Sequence, residues 1–407
     1  MKIGRLRKKV FLIAILTILL GVGFVLKKNI GAIKIPPTDD TVHSGGDFDA
    51  ITKKLSVPDG FDLIVYATDL PGARVIEFDD KGRLVVSQTA EGKISVVSDT
   101  NGDGVADSSK TIAEHLNKPH GLAFRCADTI CFFYVAEHDK LTRYVYDSNT
   151  ASVSGYTKLL DLPASATDRH FTRTLLFLPS PDDNILLISI GSSCDVCHEG
   201  DNQRAGVIAY DISTGKSEDY ARGLRNSVFM TLNPVDGRVF ATEMGRDGLG
   251  DNIPPDEVNV IEKGKNYGWP ICFGDNIHDD MFDTNTYIRN PCMSPFETPS
   301  FLDLPAHSAP LGLSFIPEEG WPEDHWYNLL VAFHGSWNRS EPTGYKIVRL
   351  TLDTKGNYSG SQDFISGWLT PDGKKLGRPV DIKVLSGGVI YISDDLNGVI
   401  YTVSRGR

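Results

Sequence analysis

Residues 61–68 read FDLIVYAT, and the fold turns on where this stretch belongs. It is rich in β-branched and aromatic residues and bounded by turn formers, so it reads as a β-strand. Further along, short strands alternate with turns almost without change. They group by position into clusters over 73–114, 120–162, 173–221, 226–262, 309–366 and 379–404. The last cluster holds only PVDIKVL (379–385), GVIYISD (388–394) and GVIYTVS (398–404). It is one strand short, and FDLIVYAT is the spare. Joining the first strand to the last cluster closes a ring, which leaves no open sheet edge. The period of about 40–60 residues is that of propeller blades. The pattern therefore predicts an all-β, six-bladed β-propeller over 58–407; the rival architecture is one or two β-sandwiches.

The fourth cluster holds NSVFMTL (226–232), GRVFATE (237–243) and DEVNVIE (256–262). Between the last two lies GRDGLGDNIPPD (245–256), with too many helix breakers to be anything but a loop. Loops of that length inside a compact fold are usually functional. Residues 270–300 form a long insertion, tied by Cys272 and Cys292. The six cysteines fall into three near pairs, 126 with 131, 194 with 197 and 272 with 292, as disulfides in an oxidising compartment would. Cys194-Asp-Val-Cys197-His198 also fits a haem-attachment pattern. No haem domain surrounds it, and a small disulfide loop is the plainer reading.

The chain has 407 residues and a net charge of −12. Residues 1–28 carry seven cations and no acid, so the remainder stands near −12 − 7 = −19. That balance argues against a nucleic-acid partner. The cations flank an apolar run from Val10 to Leu26, 17 residues long. Such a run just spans a bilayer, and a signal anchor with its basic head inside is expected over 1–28, a cleaved signal peptide being the alternative. Residues 29–57 read as a flexible polar tether. The bulk of the chain is thus expected on the periplasmic or extracellular face, attached to the membrane or secreted.

In a propeller, residues at the start of each innermost strand gather at one mouth of the central channel. At those positions stand His120, His170, Arg225-Asn226, His307 and Arg378. A ring of imidazole and guanidinium groups suits an anionic ligand together with a general base. His170 is the candidate base, since neutral imidazole accepts a proton near neutral pH. Arg225, Arg378 and Arg339 are of the type that grips carboxylates bidentately; a surface salt bridge is the plain alternative for each, most of all for Arg339. Separately, Asp99, Asn101, Asp103 and Asp107 follow the first part of a calcium-loop spacing, with Gly104 at the sixth position and Lys110 where the last ligand of a helix–loop–helix site would stand. A structural Ca²⁺ clip between strands is expected there, a plain hydrophilic turn being the alternative.

Several strings taken together resemble the PQQ-dependent sugar dehydrogenases of the soluble glucose dehydrogenase and sorbosone dehydrogenase type. They are LPGARVIEFDDKGRLVVSQTAEGKI (70–94), LNKPHGLAF (116–124), GLRN (223–226), DEVNVIEKGKNYGWP (256–270), AHSAPLGL (306–313), FHGSWNR (333–339) and GRPVD (377–381). The resemblance runs from about Pro58 to the C-terminus and implies a six-bladed propeller that binds pyrroloquinoline quinone (PQQ) with Ca²⁺. It further implies His170 as base, Arg225 and Asn226 as cofactor contacts with Arg225 near the reacting carbonyl, and Arg378 as a carboxylate-binding arginine. The Gly245 and Arg246 carbonyls become Ca²⁺ ligands, and His120 falls near a cofactor-binding glutamine position. The chain departs from that pattern in three places. Arg169 stands where glucose-oxidising members carry an acid, with Asp168 one earlier. A second C-terminal arginine falls on Val380. The cofactor lysine has no clear match, so Trp337, Asn338 or Arg339 is expected in its place.

The function this implies is oxidation of an aldose or related hydroxyl substrate, with electrons passed to an acceptor outside the chain. A non-catalytic binding propeller is the second reading. A metal-dependent lactonase-type hydrolase is the third, though it calls for more inward carboxylates than this ring offers.

Overall fold

A computed structural model describes residues 48–127, 130–353 and 355–406. These residues form six four-stranded antiparallel sheets and one small two-stranded hairpin. The six sheets are propeller blades. Their innermost strands are Ala73–Phe78, Gly121–Ala127, Leu175–Phe177, Met230–Leu232, Pro310–Phe315 and Pro379–Leu385. Each touches the next, and the sixth touches the first.

Burial explains the composition of each strand. The second strands Leu84–Gln88, Val239–Glu243 and Leu329–Phe333 are buried at every residue, because neighbouring blades cover both faces. Outermost strands such as Ser108–Ala113 and Lys216–Arg222 face solvent and are correspondingly polar.

The ring closes as expected. Phe61–Ala67 is the outermost strand of blade 6 and pairs antiparallel with Val399–Arg405, Leu63 opposite Val403 and Val65 opposite Tyr401. Phe61 stacks on Trp321 at 5.7 Å and meets Phe364 edge-on at 5.9 Å, so the closing strand also joins blade 6 to blade 5. Phe61→Ala should lower stability by about 3 kcal/mol, the usual cost of emptying a buried phenylalanine site. Thermal melts followed by near-UV circular dichroism would measure this. A melting temperature equal to wild type would mean that the closing strand carries no such weight.

The fourth blade differs from the sequence pattern. Its outermost strand is Leu302–Leu304, reached only after the insertion, and it pairs with Asp256–Ile261. Three residues after a long irregular stretch give no periodic signal. The insertion packs on loops of two blades: Asp279 pairs with Arg246 of blade 4 at 2.8 Å, and Phe282 packs on His198 of blade 3. All three expected disulfides are formed.

The stretch read as signal anchor lies outside the described residues, as does most of the tether. No helix among the described residues is long and apolar enough to cross a membrane. Within the tether range, Phe48–Thr52 forms one helical turn, Ser56 bridges to Ser366, and Phe48, Leu55 and Val57 pack on the blade 5–6 core.

Antiparallel pairing fixes where chemistry can gather. The start of each innermost strand lies opposite the end of the second strand: Gly121 faces Ala136, Pro310 faces Phe333 and Pro379 faces Asp394. Residues entering strand one and leaving strand two of every blade therefore share one mouth of the channel.

Candidate active site

At that mouth, blades 3, 4 and 5 enclose a cavity of about 230 Å³. Its wall includes His170 and Arg169 from the approach to blade 3, and Arg225 and Asn226 from the approach to blade 4. Gly245 and Asp247 come from the long polar loop, and His307, Trp337 and Asn338 from blade 5.

His170 Nδ1 lies 3.0 Å from the Ser192 carbonyl and 2.9 Å from Ser192 Oγ. A carbonyl only accepts, so Nδ1 carries the hydrogen. Ser192 Oγ spends its own hydrogen on the Cys194 carbonyl at 2.6 Å and is left to accept. Nε2 is then the lone-pair atom, and it has no hydrogen bond among the described residues. Burial, and then the positive charge of Arg225, holds the imidazole down to about 3, so it is neutral at physiological pH. His307 is different. Its Nε2 donates to the Gly250 carbonyl at 2.9 Å, and its Nδ1 accepts from Asn338 at 3.2 Å. Both ring nitrogens are occupied, so His307 orders the loop and has no free lone pair.

The loop that carries His170 is anchored from beneath. Arg173, fully buried, donates to the carbonyls of His170 at 3.2 Å and Pro163 at 2.8 Å. Asp168 turns inward, accepting from His138 at 2.9 Å and from Arg204 at 2.8 Å. Against the effect of burial, Arg204 and Ser165 hold its carboxyl well below the usual range.

Arg225 donates from Nε to the Asp195 carbonyl at 2.9 Å and from Nη2 to the Asp195 carboxylate at 2.6 Å, with Asp247 at 3.6 Å. Asp247 also accepts from Asn338 at 2.6 Å and from Arg169 at 3.3 Å. Burial raises the Asp247 carboxyl despite Arg225. Asp195 is held below the usual range by the Asp247 amide and Arg225, which outweigh its burial. The Asn226 backbone N–H donates to Glu243 at 2.8 Å, and burial keeps that carboxyl well above its ordinary value. Gly191 passes between Asn226 and His170. A Cβ there would come within 2.6 Å of both, so only glycine allows this approach.

A family model described as TrAA12-like matches residues 55–406. The chain belongs to the TrAA12-like family. An uncharacterized protein of Borreliella burgdorferi is 32% identical over 365 residues, 87% of this chain and 91% of that protein. A Hypocrea jecorina protein named as a pyrroloquinoline quinone-dependent sugar dehydrogenase is 28% identical over 404 residues, 85% of this chain and 88% of its own. The holo form of the pyranose dehydrogenase PQQ domain from Coprinopsis cinerea superposes with a TM-score of 0.70 at 21% identity, covering 86% of this chain and 97% of that one. The resemblance to PQQ-dependent sugar dehydrogenases drawn from the sequence strings thus stands.

Within this TrAA12-like chain the expected residues do not all meet. His170, Arg225, Asn226, Gly245 and Asn338 share the cavity. His120 does not line it. It is fully buried against Phe229, with Nδ1 3.3 Å from Thr174 Oγ1. Arg378 stands apart as well, its Nε on Asp395 at 2.9 Å. Arg339 is spent elsewhere: its Nη1 donates to the carbonyls of Asp251 at 2.5 Å and Ala306 at 3.2 Å, which pins the polar loop to blade 5. The Arg246 side chain is taken by Asp279.

Over Asp99–Asp107 the side-chain oxygens face the turn's own backbone. Asp99 accepts from the Gly102 and Gly104 amides, Asp103 from Val105 and Asp107 from Thr100, so the glycine-rich turn closes on its own backbone. Among the described residues, the acidic, histidine or cysteine groups within joint reach of a cation are two trios that each contain disulfide cysteines, and Asp99, Asp103 and Asp107 are not among them.

Asp247, Asp195 and Ser192 are site residues that the strand-start rule misses. All three follow a second strand rather than precede a first. Leaving-strand residues share the mouth, so that rule extended to both ends would have found them.

Proposed function

We propose that the chain is a PQQ-dependent dehydrogenase that oxidises a hydroxyl of an aldose, with His170 as the base. One observation carries this reading: His170 is fixed as the Nδ1–H tautomer, in a cavity that also presents Arg225, Asn226 and Asn338.

The residues present fit the cofactor. PQQ is a planar tricarboxylate, which calls for cationic and amide donors, and Arg169, Arg225, Asn226 and Asn338 supply them from one wall. Ca²⁺ calls for oxygen ligands, and neither the Gly245 nor the Arg246 carbonyl accepts a hydrogen bond from a described residue. Bound here, PQQ would supply the two-electron acceptor for the hydride that leaves the carbinol carbon.

The chain's own residues do the rest. His170 Nε2 takes the hydroxyl proton, while Nδ1 stays bonded to Ser192 and holds the ring plane. The low basicity of this imidazole keeps it unprotonated before each turnover, and Arg225 beside it favours release of the proton afterwards. Trp337, about half exposed at the rim, offers an apolar face to a sugar ring.

The named sugar dehydrogenase among the relatives supports the substrate class. Three disulfides and the basic-then-apolar N-terminus support a place on the outer side of the cytoplasmic membrane, attached by that segment.

The test is reconstitution. Apo-protein loaded with PQQ and Ca²⁺ should reduce an artificial dye with at least one aldose of a panel, and chelation of Ca²⁺ should abolish the signal. Unchanged quinone absorbance across the whole panel would favour a non-catalytic binding propeller.

A further inference from the structure

We propose that the Cys194–Cys197 disulfide is a positioning element of the reaction: the small ring it closes fixes the acceptors that orient His170 and Arg225. The inference rests on the dehydrogenase reading, and it gives the Cys-X-X-Cys-His string a role beside the base.

The ring lies in an irregular run between the strands Ile185–Ile190 and Gly206–Asp211. That run pairs with no strand among the described residues, so its own contacts decide its shape. Several of them reach the site. The Cys194 carbonyl accepts from Ser192 Oγ at 2.6 Å, which leaves the Ser192 lone pairs to His170 Nδ1. The Asp195 carbonyl accepts from Arg225 Nε at 2.9 Å, and the Asp195 carboxylate accepts from Arg225 Nη2 at 2.6 Å. The Arg225 carbonyl in turn accepts from the Ser192 N–H at 2.7 Å. Just past the second cysteine, Glu199 accepts from the Ser193 N–H at 2.6 Å, and the Ser193 carbonyl accepts from the Arg169 N–H at 3.2 Å. His170, the residue before it and Arg225 are therefore all tied to one loop.

A disulfide with only two residues between its cysteines leaves the backbone little freedom. It holds the Cys194 and Asp195 carbonyls in place, where an open loop would have to order them at each turnover. The Cys126–Cys131 disulfide is a useful contrast. It joins the paired strands Gly121–Ala127 and Ile130–Ala136 at the end away from the mouth, and touches no site residue.

The test compares wild type with Cys194→Ser/Cys197→Ser, both loaded with PQQ and Ca²⁺. The variant should lose about 10–100-fold in kcat, as for a catalytic group misplaced by about 1 Å, with KM and cofactor load changing far less. Arg225, Asp195 and Arg169 face His170 from its own side, and Asp247, Asp256 and His307 line the rest of the cavity. Opening the ring frees Arg225 and admits water, and both changes raise the imidazole toward its ordinary value. The variant should therefore show an acid limb in kcat/KM near pH 6.5, about the ordinary histidine value, that wild type lacks. NMR of histidine-labelled apo-protein reads the same loosening without turnover: His170 should hold the Nδ1–H tautomer in wild type and show a mixture in the variant. If the variant fails to fold, wild type is reduced stepwise instead. Loss of turnover should then track the opening of Cys194–Cys197, mapped by alkylation and mass spectrometry, and not that of Cys126–Cys131, and reoxidation should restore it.

A variant that melts earlier yet keeps wild-type kcat, a flat pH profile and the Nδ1–H tautomer would make this disulfide a brace of the fold and nothing more. Turnover that survives the opening of Cys194–Cys197 in reduced wild type would do the same. Wild type that oxidises no aldose would remove the dehydrogenase reading. A tautomer fixed with the ring closed and mixed with it open would still support the positioning role, and one that stays fixed would overturn it.

Discussion

His170→Ala is expected to lose about 10²–10⁴-fold in turnover, the range that a positioned general base supplies, while PQQ uptake changes little. The expectation follows from tautomer and charge. Ser192 fixes the hydrogen on Nδ1, so Nε2 is the lone-pair atom, and His307 cannot replace it because both its nitrogens are engaged. Stopped-flow mixing of loaded enzyme with substrate would show bleaching of the quinone band slowed by that factor, with the equilibrium cofactor load unchanged. Lost cofactor binding with normal turnover per bound PQQ would assign His170 to cofactor grip instead.

The pH profile separates this base from an ordinary histidine. The imidazole is held down to about 3, so kcat/KM should show no acid limb between pH 5 and 8. A limb near 6.5 would contradict the burial argument. The same shift makes a stability statement. The folded-state pKa lies below the unfolded value, so the contribution is fully present above about 6.5 and is lost as pH falls toward 3. Replacing His170 should therefore make the fold less sensitive to acid across that window.

Arg225→Ala is expected to cost both activity and stability. The guanidinium is buried and sits between Asp195 and Asp247, at 2.6 and 3.6 Å. Its removal leaves two partly buried carboxylates facing each other without a cation. Breaking a buried pair costs about 3–5 kcal/mol, and Asp195, about a quarter exposed, places this one at the low end. Asp195→Asn added to Arg225→Ala should recover part of the stability, because an amide needs no counter-charge, but should recover none of the turnover. Urea unfolding of wild type, Arg225→Ala, Asp195→Asn and the double variant forms the cycle. Additive destabilisation would show that Asp195 and Arg225 are not coupled.

Much of this protein is legible along the chain. The six clusters, the spare strand at 61–68 and the local cysteine pairs depend on periodicity and proximity, which a linear sequence carries directly. His170, Arg225 and Asn226 could be placed at the mouth because strand starts lie there in a regular way, whereas Gly245, which follows a second strand, came only from the family resemblance. The strand at 302–304 could not, since three residues behind an insertion have no period. The acidic spacing at 99–107 suits either a cation or a plain hydrophilic turn, and the backbone amides that its oxygens accept from among the described residues are compatible with both.

The sequence by itself thus determined a closed ring of sheets and the residue types gathered at its mouth. Only the tertiary structure decided which of those residues face one another. Arg339 and His120 were withdrawn from the cavity, Asp195 and Asp247 were added, and Arg74 met Asp395, 321 residues away, across the seam of the ring. The reason is physical. Strand periodicity is set by neighbours in the chain, whereas the pairing of charges is set by blade-to-blade contact between residues hundreds of positions apart.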